Sequence, residues 1–474
     1  VAGNNGGGVY LVADAPDVRN NIFMENIASS GGGGWVNAGI SDLTLDYNNW
    51  FNNTPDHVAG SASAGANALI DVDPMFDPDP LRFYSLYQNS NVIDKGDPTV
   101  PVFRDYEEDP RPTHQGWDMG ADELGGCWVQ NTRTPEIVYG SLQYALGFAQ
   151  SDDTLLVDGA CLGVNNMGGT IQNTYVNISV TIDGSWVSPY MEDDLVFANL
   201  NAQNEGRVLK VDAGATFEVQ NIYLNQGNAN VAGLDGNGGG VHNSGTLSLF
   251  NVTVTSSSAT NGGGVYQASG DLDIQQSFIS SNNAGNGGGV YFAGGTILVD
   301  SNKLFDNNAS SNGAGIYLAN TNATVQNNFV YNNEATTNGG GLYDSSGIAN
   351  IIHNTFVGNG ANSGGGIYLE TGTPFVYGNI VDNNTGTGIH TNAGTPTVQY
   401  NNVVDNDGDY GGVFTNPDAT NIMTAPVYVD ILDFHLALGS PGIDAAAPIT
   451  ELLTHDIDGH LRPTNGGNDI GADE

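Results

Sequence analysis

Between residues 240 and 412 short apolar runs alternate with glycine, asparagine and serine on a steady beat. Aligning the last glycine of each Gly-rich aliphatic-aromatic group gives Gly240, Gly264, Gly289, Gly315, Gly341, Gly366, Gly388 and Gly412, spaced by 22 to 26 residues. That is the length of one coil of a β-solenoid. A second marker, an asparagine closing a short apolar pair, keeps step at Asn282, Asn307, Asn332, Asn359, Asn383 and Asn406. The residues between are β-branched, aromatic and alternating, and helix-forming runs are missing, so strands are the consistent reading.

Stacking explains the residue choices. Successive coils lie about 4.8 Å apart, which places like residue above like. Val265, Val290, Ile316, Leu342, Ile367, Ile389 and Val413 then form one inward column. The next position holds His242, Tyr266, Tyr291, Tyr317, Tyr343, Tyr368, His390 and Phe414, which alternation turns outward as an aromatic ladder, while Phe292, Leu318 and Leu369 turn back in. Glycine runs fit a corner with no room for side chains, and stacked asparagines can hydrogen-bond along their column.

Taken in order, residues 1–53 already carry the coil pattern, and residues 54–126 lose it in an acidic, Pro-containing closing cap. The C-terminal stretch SPGIDAAAP followed by DIDGHLRPTNGGNDIGADE repeats that ending: Arg462, Asp469 and Glu474 fall on Arg111, Asp118 and Glu123. Residues 1–126 therefore read as the second half of a unit, and 127–474 as a whole one, with an N-terminal cap at 127–165, coils at 166–430 and a closing cap at 431–474. In that N-terminal cap, Ser141 can cap a short amphipathic helix from Leu142 to about Gln150, covering an open sheet edge. The two cysteines, Cys127 and Cys161, bracket this helix; paired, they would stabilise by about 3–4 kcal/mol through loop entropy, the alternative being two buried thiols.

Composition narrows the partners. A formal charge of −42 with 10 Lys plus Arg repels phosphate backbones and anionic bilayers, which argues against nucleic acid and lipid. No apolar run approaches the length of a membrane-spanning helix, and no signal peptide is visible; the chain opens at Val1, in the middle of the coil pattern. Such acidity favours cations, and Ca²⁺ is the ligand class it points to. Within the coils the only Lys or Arg after Lys210 is Lys303, the acids are scattered at turns, and the eight histidines show no ligand spacing, so no catalytic residue and no transition metal are assigned.

The stretch SLQYALGFAQSDDTLLVDGACLGV, the NGGGVY and N-x-x-Φ-Φ-x-N coils and the doubled closing motif together resemble the bacterial choice-of-anchor proteins. Those are right-handed parallel β-helices of pectin-lyase-like fold, similar in pattern to polymorphic outer-membrane proteins. The resemblance implies a secreted or surface-displayed structural protein and carries over no catalytic residues. The expected function is an extracellular solenoid that joins with itself head to tail as a filament, sheath or adhesin. The alternative is a carbohydrate-binding or polysaccharide-cleaving β-helix, with sugar rings stacking on Tyr266, Tyr291, Tyr317, Tyr343 and Tyr368. In the closing motifs, Arg111 with Asp118 and Arg462 with Asp469 are expected to form ion pairs. The competing reading is Ca²⁺ held by Asp456 and Asp458, and by Asp105 and Glu107 in the first copy.

Overall fold

The computed structural model describes residues 7–11, 17–37, 45–60, 63–76, 90–93, 95–97, 99, 117–120, 127–135, 138–139, 142–185, 198–319, 322–345, 347–414, 418–430, 433–447, 453–463 and 467–474. Arg111, Asp105, Glu107 and Ser141 lie outside them. Two compact units result, one of Val1–Gln130 with Thr134–Ala145 and one of Asn131–Arg133 with Leu146–Glu474.

In the larger unit every coil contributes a strand to each of three parallel sheets. One sheet has eleven strands and carries the glycine-tyrosine repeats. It runs through Thr170–Val176, Arg207–Val211, Val241–Asn243 and Val265–Gln267 on to Thr387–Thr391 and Gly408–Gly412, with Asn165–Met167 antiparallel at its start. A second sheet runs from Val180–Asp183 to Thr397–Gln399, and a third from Asn199–Asn201 to Asn402–Val404. A short fourth sheet links Ser258–Asn261 to Glu334–Ala335. The register puts Val265, Val290, Ile316, Leu342, Ile367 and Ile389 directly over one another, all fully buried, at about 1.5–3 kcal/mol of transfer free energy for each side chain.

The glycine corner is set by backbone proximity. A Cβ at Gly289 would lie 2.6 Å from the carbonyl oxygen of Gly315 on the next coil, closer than any side chain can sit. Beside it Gly287, Gly313 and Gly339 hold φ between 63° and 66°, where an L-residue is strained.

Two buried asparagine ladders hold the opposite corners. In one, the side-chain amides of Asn282, Asn307, Asn333, Asn359 and Asn384 each donate to the next asparagine's Oδ1, ending at Asn406, at 2.9–3.1 Å. Asn302, Asn328, Asn354, Asn379, Asn401 and Asn421 do the same in the other, at 2.8–3.0 Å. This corrects the expected column in two places: Asn332 and Asn383 are not ladder members. They occupy left-handed turn positions with φ of 53° and 54°, where Ser281 and Asp306 stand in neighbouring coils, and the asparagine after each one enters the ladder.

The last repeat is also out of the expected register. Ile389 pairs with Tyr410 and His390 with Gly411, so Val413 leaves the inward column and is 64% exposed, and Phe414 packs against Tyr410 instead of His390. The corner shortens over the last coils: the inward residue follows the ladder asparagine by eight positions from Asn359 to Ile367, by five from Asn384 to Ile389 and by four from Asn406 to Tyr410. The helix of the N-terminal cap is shorter than expected as well, covering Leu142–Leu146.

The closing segment does not sit on the last coil alone. It lies along the flank of four coils, where His455 Nε2 meets Asp300 Oδ2 at 3.1 Å, Phe434 packs edge-on to Phe329, the amide of Ala472 donates to Thr355 Oγ1 and that of Gly471 to the Gly378 carbonyl.

The smaller unit builds the same parts in miniature. Ile22–Met24, Asn49–Phe51 and Leu69–Ile70 form one parallel sheet, and Val9–Leu11, Ile27–Asn37 and Thr54–Gly60 another. Asn21 donates to Asn48 and Asn26 to Asn53, and fully buried Trp50 stacks on Phe23 at 4.4 Å.

Candidate functional site

The outer face of the eleven-stranded sheet gathers the most distinctive side chains. Register carries the aromatic column further than the repeats alone imply: Tyr175 pairs with Lys210, Lys210 with His242, and His242 with Tyr266. From there ring centroids step to Tyr291, Tyr317, Tyr343, Tyr368 and His390 at 4.6–5.4 Å, with planes within 25° of parallel. The flat faces of the five predicted tyrosines are therefore occupied by one another. Tyr343 and Tyr368 are buried at 7% and 6% exposure, which corrects the expectation of a fully outward ladder, whereas Tyr266, Tyr291 and Tyr317 keep open edges. Burial and the neighbouring phenols push Tyr291 up to about 12, and burial together with Glu370, which accepts from the Tyr343 hydroxyl at 3.1 Å, raises Tyr343. These phenols stay protonated at neutral pH.

At the foot of the column a recess of about 430 Å³ opens between Arg207, Lys210, His242, Asp212, Asp235 and Ser244. Sequence reading passed over it because its walls come from separate coils. Placing Lys210 on the tyrosine column would have found it. The Arg207 side chain is 1% exposed, with Nη2 on Asp235 and Nε donating to the Asn237 carbonyl at 2.8 Å. The Lys210 ammonium has a 3.3 Å bond to Thr170 Oγ1, stands 3.6 Å from Asp212 and lies 5.3 Å over the Tyr175 ring. The Tyr175 hydroxyl donates to Asp212, and that bond with burial pushes its pKa up to about 12. Burial, then the Arg207 charge, pushes His242 down to about 4.

The closing motif is arranged differently from either expectation. Arg462 pairs with the carboxylate of Glu474 at 3.0 Å, both side chains fully buried; toward Asp469 it donates only to the backbone carbonyl, as it does to Gly471 and Asp473. The Asp469 carboxylate instead accepts from the amide of Asp444, and burial raises its pKa to about 6. In the first copy Asp118 is fully buried. Asp456 and Asp458 do not converge. Asp456 accepts from the amides of Asp458, His460 and Glu474, while Asp458 turns to His435 Nε2 at 2.8 Å. Among the described residues, His435, Asp458 and Asp473 bring ligand-type atoms within 4.8 Å of one another. Lys303 lies 5.7 Å over the Phe329 ring. Cys127 and Cys161 form a disulfide, as the sequence led us to expect.

With this geometry in hand, comparison with known families adds one decisive point: a family described as right handed beta helix region matches residues 213–373, the regular coils. The fold is a right-handed parallel β-helix. No curated protein gave a significant match. The family match covers the five stacked tyrosines and the first members of both asparagine ladders, up to Asn354 and Asn359, and it stops short of the last coils and the closing segment.

Proposed function

We propose that this β-helix is an extracellular structural protein of the choice-of-anchor kind, which assembles with copies of itself end to end into a filament or sheath. The observation that carries this reading is the end of the eleven-stranded sheet. Gly408–Gly412 is its last strand among the described residues, paired on one side to Thr387–Thr391; Val413, which follows it, is 64% exposed, and Met423, next to Ile422 over Asn402 at the end of the third sheet, is 55% exposed. An unpaired parallel edge flanked by apolar side chains is a template for another coil of the same spacing. The asparagine ladders are closed locally, Asn406 by Asp409 and Asn421 by the Asp418 carbonyl, so joining would use the strand edge and the apolar residues. Such a heterologous contact repeats without closing.

The Cys127–Cys161 disulfide supports an oxidising, extracellular location. The side chains that repeat along the coils are engaged with their counterparts above and below, which supports a structural role over a catalytic one. A glycan-binding role has less to rest on, because the tyrosine faces on which sugars would stack already face other tyrosines. Electron microscopy of the purified chain should show filaments or end-joined particles. Isolated particles at every concentration, with a monomeric mass by light scattering, would remove the reading.

A further inference from the structure

We propose that the recess formed by Arg207, Lys210 and His242 is a binding site for one small oxyanion, a carboxylate or a sulfate-type group. The argument rests on donors that the protein itself leaves unused. Arg207, whose side chain is 1% exposed, is held in place by Nε and Nη2, and its Nη1 makes no hydrogen bond to the described residues. A guanidinium N–H left free on a side chain already fixed in place can give a charge-assisted hydrogen bond to an anion in the recess without further ordering. Lys210 has three N–H donors and a single 3.3 Å hydrogen bond. His242 is 9% exposed; Nδ1 has no partner, and Nε2 is 3.6 Å from Asp235, too far for a hydrogen bond.

The two carboxylates of the recess are already engaged elsewhere. Asp235 takes Arg207 Nη2 and the amide of Asn237, and Asp212 takes the Tyr175 hydroxyl. Their charges balance Arg207 and Lys210, so the recess is electrically neutral in a chain of net charge −42, and two of its 10 Lys plus Arg residues stand there three positions apart on one strand. Short-range donor geometry, rather than the long-range field, is what would hold an anion. Its size of about 430 Å³ suits a single charged group on a small molecule or on one unit of a polymer. Because this site is on the outer face of the sheet and away from the Gly408–Gly412 edge, it stands independently of end-to-end assembly.

The test is titration of the full chain with sodium sulfate and, separately, sodium acetate, followed by calorimetry and by the NMR signals of the His242 ring. Saturable binding of one equivalent of either anion is expected, with the His242 pKa moving upward as the anion occupies the recess. Binding of sulfate alone, or of acetate alone, identifies which oxyanion geometry fits. Lys210→Gln should weaken binding about tenfold, the loss of one charge-assisted hydrogen bond, and Lys210→Arg should restore it. Melting curves of both variants establish that they fold; Ser244→Ala, on the rim, serves as a second probe if Lys210→Gln does not. Absence of saturable binding by either anion, or equal affinity in folded Lys210→Gln, overturns the proposal.

Discussion

At the residue scale, one amide side chain does the work that a whole turn does elsewhere. Asn333 donates from Nδ2 to the carbonyls of Leu304 and Tyr331 and to Asn359 Oδ1, while its own Oδ1 accepts from the amide and side chain of Asn307. Truncation would leave several buried polar groups of three coils without partners, each costing about 1–3 kcal/mol. Asn333→Ala should therefore lower stability by about 2–4 kcal/mol by chemical denaturation, well beyond the effect of Asn332→Ala at the adjacent turn position. Equal effects at the two positions would mean that the ladder register is wrong. The repeat pattern could show that asparagine belongs at this corner, but in the doublets Asn332-Asn333 and Asn383-Asn384 both residues satisfy the pattern. Only backbone conformation separates the member that takes positive φ from the member that turns inward.

At the element scale, the closing segment is fastened by groups that titrate. Asp382 accepts from the Tyr428 hydroxyl, and burial raises its pKa to about 6; Asp469 is raised to about 6 for the same reason. A raised carboxyl holds its proton in the folded chain where the unfolded chain has released it. Stability from these two groups is thus fully present at low pH and lost as pH rises from about 4 through 6. Asp153 has the opposite sign: its bond to Arg133 lowers it to about 2, so its contribution is present above about pH 4 and lost as pH falls toward 2. Buried His242 and His353, both lowered, act with the opposite sign over the same range, so the readout is a difference: the melting temperature of Asp382→Asn, which can still accept from Tyr428, should gain on that of wild type between about pH 4 and 6. An identical pH profile in wild type and variant would contradict the assignment. This docking was legible only as a repeated motif. Its DIDG and RPT groups were visible in both copies, but the partner of Arg462 was not, because a guanidinium among many acids offers several pairings and burial selects Glu474.

At the scale of the whole molecule, the two units repeat one closing scheme. In the first, Gly120 donates to the Asn20 carbonyl, Met119 to Val92 and Gly96 to Trp117; in the second, Gly471 donates to Gly378, Ile470 to Gly442 and Ala446 to Asn468. In both, a Cβ on the closing glycine would lie under 3 Å from an isoleucine Cδ1, that of Ile22 or Ile380. Internal duplication of this kind was readable from the doubled ending, and the coil fold from periodicity, since each depends on residues at fixed spacing. The recess and the last-coil register were not readable, since one joins residues from separate coils and the other follows from a shortened corner. End-to-end assembly requires the last coil to act as an adhesive edge. The most direct measurement is light scattering across a concentration series on wild type and on the double variant Val413→Lys, Met423→Lys, whose charges should block the edge without touching the buried columns. The mass should rise with concentration in wild type and stay monomeric in the variant, with the two melting alike; the same mass series in both would contradict an adhesive last coil.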